Sequence, residues 1–138
     1  MNDVDLQRRF LQSNAFAVAG ASNDRSKYGN RVFRALVEFV GDDDARTVIP
    51  LNPKSNQIEG VAAFAAISDA PIVPQALSIV TPPAITRQVV QEAIEAGINQ
   101  IWMQPGAEDD AAIELAQQAG CEVIAGGPCI LVALRTLV

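Results

Sequence analysis

"AFAVAGASNDRSKYGNRV", residues 15–32, decides the fold of this chain. It opens as an apolar run of small residues stopped by Gly20, which suits a buried parallel strand. From Gly29 onward Val32, Phe33, Leu36, Val37 and Val40 fall on one helical face, and "GDDD" at 41–44 closes the element. Strand, turn and helix follow one another as in a dinucleotide fingerprint, but the glycine spacing is broken. Ser22 stands where a G-x-G-x-x-G motif puts its second glycine, and the next glycine is Gly29, nine residues after Gly20. The lengthened turn still keeps Gly20 for the tight exit and a helix N-terminus for an anion. Ser22 adds a hydroxyl, and Arg25 and Lys27 add charge. An ordinary strand-to-helix turn also shows a lone glycine, so this loop does not decide function by itself.

The pattern repeats along the chain. Residues 3–14 carry Val4, Leu6, Phe10 and Leu11 at near-helical spacing, which predicts a leader helix over residues 1–14. "RTVIPLNPK" is a second strand ending at Asn52-Pro53, and "ALSIVTPP", 76–83, is a third. About two dozen residues between them show no long helical period and are read as an irregular crossover. "AITRQVVQEAIEAG" is a helix closed by Gly97, "INQIWMQPG" a fourth strand, and "AEDDAAIELAQQAG" a helix with acids in its first turn. "CEVIAGG" is strand five, and "CILVALRTLV" a packed C-terminal helix. Short apolar strands alternating with helices predict an α/β protein, with a doubly wound, parallel five-stranded sheet and helices on both faces.

With 138 residues, 49% of them apolar, the chain is expected to form a single domain over 1–138. The N-terminus lacks the basic start and apolar core of a signal peptide, and no run is long enough to span a bilayer. These features predict a cytoplasmic protein that binds no membrane. A net charge of −6 argues against nucleic-acid partners, which are held by many Lys and Arg contacts to phosphate. Any anion site must be local. The two lysines, Lys27 and Lys54, each follow a predicted strand in a loop marked by Gly or Pro, although two lysines on solvated loops need no ligand. Cys121 and Cys129 flank strand five, too far apart for a disulfide, and are read as free thiols. With two cysteines, no histidine and scattered acids, no metal site is expected.

A doubly wound sheet binds ligands beyond the carboxyl ends of its strands, where the strand order reverses. The relevant loops are "GASNDRSKYGN", "NPKSN", "TPP" and "QPGAEDD". An NAD site has an acid at the end of its second strand, to hold the ribose 2′-hydroxyl. This strand ends instead in Asn52-Pro53-Lys54, and a cation there favours a ligand with a phosphate on its ribose, either NADP or coenzyme A.

"VAGASNDRSKYGNRV", "IPLNPK", "VTPP" and "IWMQPG" occur in the order and at the spacing of the small stand-alone CoA-binding proteins. The chain resembles that family from about residue 13 to 126, and through it the CoA-binding domain of the succinyl-CoA synthetase alpha subunit. The resemblance implies a Rossmann-like domain holding coenzyme A, or an acyl-CoA, across the tips of strands one to four. By position it places Gly20, Ala21 and Ser22 along the pyrophosphate. Lys27, Asn30 and Lys54 fall at phosphate or adenosine contacts, and Arg25, Tyr28 and Gly29 of the same loop are counted with the cofactor-binding residues. Asn52 and Pro53 shape the adenine edge, and Thr81, Pro82 and Pro83 wall the pantetheine arm.

The departures matter as much. Without histidine the chain cannot carry the phosphohistidine of a synthetase, and no nucleophile with a base in reach is visible, so no catalytic residue is assigned. Glu108, Asp109 and Asp110 crowd the helix start after strand four and would repel an anion. Cys129 lies one position from the family's cysteine and lacks its acidic neighbour. The leading expectation is a non-catalytic CoA-binding protein, with homo-oligomers possible. The alternatives are an NADP-binding reductase or its detached cofactor domain, and a regulatory or CoA-binding subunit of a multi-chain acyl-CoA synthetase.

Overall fold

A computed structural model describes residues 3–138. In chain order the elements are α1 (Asp3–Leu11), β1 (Ala15–Ala19), α2 (Tyr28–Val40), β2 (Thr47–Leu51), β3 (Gln57–Ile58), β4 (Val61–Ala62) and a 3₁₀ turn at Ile67–Asp69. There follow β5 (Ala76–Ile79), α3 (Pro83–Ala96), β6 (Gln100–Met103), α4 (Asp110–Gln118), β7 (Glu122–Ile124) and α5 (Ile130–Thr136). The predicted leader helix is present from Asp3; its first two positions lie outside the described residues.

The five long strands form one parallel sheet in the order β2-β1-β5-β6-β7. A sixth position is occupied vestigially. Phe64 makes a parallel bridge to Leu51 outside β2, with the Asn52 N–H donating to the Phe64 carbonyl at 2.9 Å. The order then reads as the 3-2-1-4-5-6 arrangement of dinucleotide folds, with its third strand shrunk to one residue. The predicted irregular crossover is this segment, together with the β3–β4 hairpin and the 3₁₀ turn. Pro50 sits in β2, where its missing N–H costs little because β2 is an edge strand.

Successive strand residues point to opposite faces, and both faces are dry. Phe16, Val18 and Trp102 pack under α1, α2 and α5 with Phe10, Phe33, Leu36 and Ile130. Ala17, Leu77, Ile79, Ile101 and Met103 pack under α3 and α4 with Val90, Ala93 and Ala116. Trp102 is fully buried, meets the Phe10 ring edge-on at 5.3 Å, and donates its indole N–H to the Pro128 carbonyl at 3.0 Å. Arg46 ties α1 down, donating to the Leu11 carbonyl at 2.6 Å while its guanidinium lies 4.7 Å over the Phe39 ring. The helix predicted from 107 starts only at Asp110, because Asp109 caps it by accepting from the Ala112 N–H at 2.9 Å.

Candidate ligand site at the carboxyl edge of the sheet

The strand order reverses between β1 and β5, and the first loop passes over that point. Gly20 has φ +93°, which favours glycine, and a Cβ built on it would lie 3.0 Å from the Val80 backbone. Gly29 has a different reason to be glycine. A Cβ there would lie 2.0 Å from the Gly20 carbonyl oxygen, so the first turn of α2 rests directly on the exit of β1. The two glycines perform the first and third roles of the dinucleotide fingerprint, the tight exit and the close helix approach, across an enlarged loop.

The loop holds its shape by bonds among its own short polar side chains. The Ser22 hydroxyl accepts from the Asp24 N–H at 3.0 Å, and the Asp24 carboxylate accepts from the Ser26 N–H at 3.0 Å and from the Ser26 hydroxyl at 2.6 Å. These bonds hold the Asp24 carboxyl below the usual range. Lys27 then starts α2 with no side-chain cap and no acid in the first turn. The helix N-terminus therefore remains available to an external anion. At α4 the opposite holds: Asp109 caps the helix and pairs with Arg87 at 3.3 Å, while Glu108 accepts from the Gly106 N–H at 2.7 Å. Two of the three acids predicted to exclude an anion there, Glu108 and Asp109, are bonded to their own loop and helix start.

The second loop is fastened to the first. The Asn52 amide donates to the Ala21 carbonyl at 2.8 Å, and its oxygen accepts from the Lys54 and Ser55 N–H groups at 2.7 and 3.1 Å. This turn leaves Lys54 exposed beside Pro53, and among the described residues no ion pair involves Lys27 or Lys54. A cleft of about 600 Å³ opens there between Asn23, Lys54 and Gln57. Across Pro53 it adjoins a narrower one of about 240 Å³, lined by Gly20, Ile67, Thr81 and Ile85. One end is polar and cationic, the other largely apolar.

Several predicted residues stand elsewhere. Arg25 faces Glu59, which accepts from it at 2.7 and 3.2 Å, so its charge is already matched. Asn30 is wholly buried, and its amide donates to the Ser22 carbonyl at 2.7 Å and to Glu59 at 3.0 Å. Asn30 and Asn52 are thus builders of the loops, with their amide groups spent on the protein. Tyr28 turns away from the cleft. Its hydroxyl contacts the Cys129 sulfur and lies 3.4 Å from the buried Gln104 amide oxygen. Burial first, and then the Cys129 contact, push the phenol well above its ordinary pKa. Of the third loop Thr81 lines the cleft, while Pro82 and Pro83 are exposed and begin α3.

Sequence reasoning missed the strap over the first loop. Asn23 donates to the Gln57 carbonyl and accepts from the Glu59 N–H, both at 2.8 Å, pinning the β3–β4 hairpin to the loop. The available signal was Glu59-Gly60 between Ile58 and Val61, a two-residue hairpin turn with φ +50° and +79°. Gln104 was missed as well. Fully buried, it donates to Ser78 at 3.2 Å and accepts from the Ile130 N–H at 2.9 Å, locking β5, β6 and α5 together.

A family model described as a CoA binding domain matches residues 14–135. The chain belongs to that family. The alpha subunit of an ADP-forming acetate–CoA ligase II from Pyrococcus furiosus is 28% identical over 131 residues, covering 88% of this chain and 28% of the subunit. A conserved hypothetical protein of known structure from Pyrococcus furiosus is 34% identical, covering 86% of this chain and 97% of its own, with a TM-score of 0.75. A hypothetical protein from Pyrococcus horikoshii OT3 superposes with a TM-score of 0.87 at 25% identity, covering 100% of this chain and 94% of its own. The chain spans less than a third of the length of the curated relatives it matches. The CoA-binding family and the Rossmann-like α/β fold are those the four loop motifs implied. No helix among the described residues is long and apolar enough to cross a membrane.

Proposed function

We propose that this chain is a non-catalytic coenzyme A carrier, holding CoA or an acyl-CoA along the paired clefts. The observation that carries the reading is the Gly20–Gly29 contact, which sets an uncapped helix N-terminus directly over the strand-order switch point. The pyrophosphate lies against this turn, the ribose phosphate reaches Lys54, and the pantetheine arm runs past Thr81 toward the apolar end. This assignment uses a backbone anion site, one unpaired cation and an apolar channel, and calls for no nucleophile or base. Among the described residues no group of three or more His, Cys, Asp or Glu could hold a metal ion.

Isothermal titration with CoA, dephospho-CoA and NADPH tests it. CoA should bind, and dephospho-CoA should bind about tenfold more weakly, as loss of one charge-assisted contact implies. Absence of heat with CoA at millimolar concentration would overturn the proposal, and tighter binding of NADPH would replace it with the reductase reading.

Similarity to the acetate–CoA ligase alpha subunit favours a second reading, in which the chain is the CoA-binding part of a multi-chain acyl-CoA ligase. The phosphohistidine of such a ligase would then lie outside these 138 residues, none of which is a histidine. Co-purification of an ATP-binding subunit distinguishes the two readings.

A further inference from the structure

On the α3–α4 side Asp69, Glu92, Glu95, Glu108, Asp110 and Glu114 accompany one ion pair among the described residues, Arg87–Asp109. On the other side α2 and α5 flank a groove of about 820 Å³ that begins at Tyr28 and ends at Phe39. Arg31, Arg34 and Arg135 line it against one carboxylate, Glu38, and among the described residues no ion pair involves any of the three arginines. Arg34 is steadied by donating to the Asn30 amide oxygen at 2.7 Å. Between the cations lies apolar surface: Phe39, Leu131 and Leu134 are partly buried against the core, and Val132 is 46% exposed.

We infer that this groove docks an acidic amphipathic helix of a partner protein. Three arginines without an ion pair, facing the single carboxylate of Glu38 across the groove, select an acidic partner by complementarity. The apolar floor between the arginines gives nothing to a nucleic-acid backbone, and a concave groove does not fit a flat membrane. From Tyr28 to Phe39 the groove follows α2 for roughly 16 Å, about three helical turns. A small anion would cover one arginine and leave the apolar floor wet, whereas a helix with leucines on one face and glutamates beside them meets both. The groove shares no lining residue with either cleft, and the inference stands whether or not CoA binds.

The test uses the whole protein and an end-blocked, fluorescein-labelled peptide with Leu and Glu at helical spacing, read by anisotropy. Saturable binding is expected, with hydrogen-exchange protection over 28–39 and 130–136. R31E/R135E should weaken it about tenfold or more, and V132D, which leaves the arginines in place, roughly fivefold. Circular dichroism confirms that each variant is folded. A scrambled peptide of the same composition that binds as well would reduce the site to bulk charge and overturn the inference. So would preferential binding of phosphatidylserine vesicles or inorganic phosphate, protection elsewhere on the chain, or no binding by the peptide.

Discussion

Gly29 touches Gly20 through the backbone: a Cβ on Gly29 would sit 2.0 Å from the Gly20 carbonyl oxygen, far inside any real contact. The obstacle is backbone at the sheet's carboxyl edge, held by the Gly20 N–H donating to the Leu51 carbonyl at 3.2 Å, so it cannot yield as a flexible side chain would. Gly29→Ala must therefore lift α2 off β1. The expected cost is about 1–3 kcal/mol of stability, as for overpacked cores, with loss of CoA affinity beyond what the change in Tm explains. Thermal denaturation with and without CoA checks both; a variant of unchanged Tm and affinity would show that the close approach is dispensable.

Lys54→Met separates ligand recognition from folding. The side chain is exposed and has no ion-pair partner, so stability should change by less than about 0.5 kcal/mol. CoA affinity should fall roughly tenfold or more, the worth of a charge-assisted contact, while dephospho-CoA affinity stays the same. Equal losses for both ligands would move Lys54 off the ribose phosphate.

The fold was legible because its signals are local and repeated. Five apolar runs each end in Gly, Pro or Asn, and each helix face is read within a few turns. Much of the candidate site was not legible, for a physical reason. Asn30, Asn52 and Arg25 look like ligand contacts in sequence because they are polar residues in a ligand loop, yet their bonds go to Ser22, Ala21 and Glu59. Only the three-dimensional neighbours reveal that the polar groups are spent. Glu59 lies 34 residues from Arg25, on a hairpin whose strands are too short to register as periodicity. Tyr28 belongs to the loop motif, but its partner Cys129 comes from the far end of the chain.

Glu59→Gln probes the strap. Arg25 and then Asn30 hold the Glu59 carboxyl below its ordinary range. A lowered folded pKa means that this contribution to stability is present above the unfolded value of about 4.3 and is lost as pH falls through the folded one. Wild-type stability should thus decline below about pH 4.5 with a steeper slope than E59Q. The substitution should also speed hydrogen exchange over 57–62 at neutral pH. Parallel acid-unfolding curves for the two proteins would count against the strap.

Gln104→Leu removes a clamp rather than a contact surface. The Ile130 N–H and the Ser78 hydroxyl lose their partner in a fully buried place, at about 1–3 kcal/mol for each orphaned group. Adding Ser78→Ala should return part of that loss, because the hydroxyl left without a partner is then gone. Additive losses in denaturant titrations would refute the shared bond.

Tyr28 is the chain's single tyrosine, so its titration can be followed by phenolate absorbance without interference from another. Burial, then the bond to Cys129, raise its pKa when folded. The sign is that of an acid kept neutral by the fold: the contribution is complete below the unfolded value of about 10 and is lost as pH rises toward the folded one. The phenolate band should therefore stay absent through pH 10 and appear only as the protein unfolds, with the indole fluorescence of Trp102 shifting in the same transition. Tyr28→Phe should flatten the alkaline arm of the stability curve while leaving the acid arm unchanged. A phenolate that forms near pH 10 in protein still folded by circular dichroism would place the hydroxyl in solvent, away from Cys129 and Gln104.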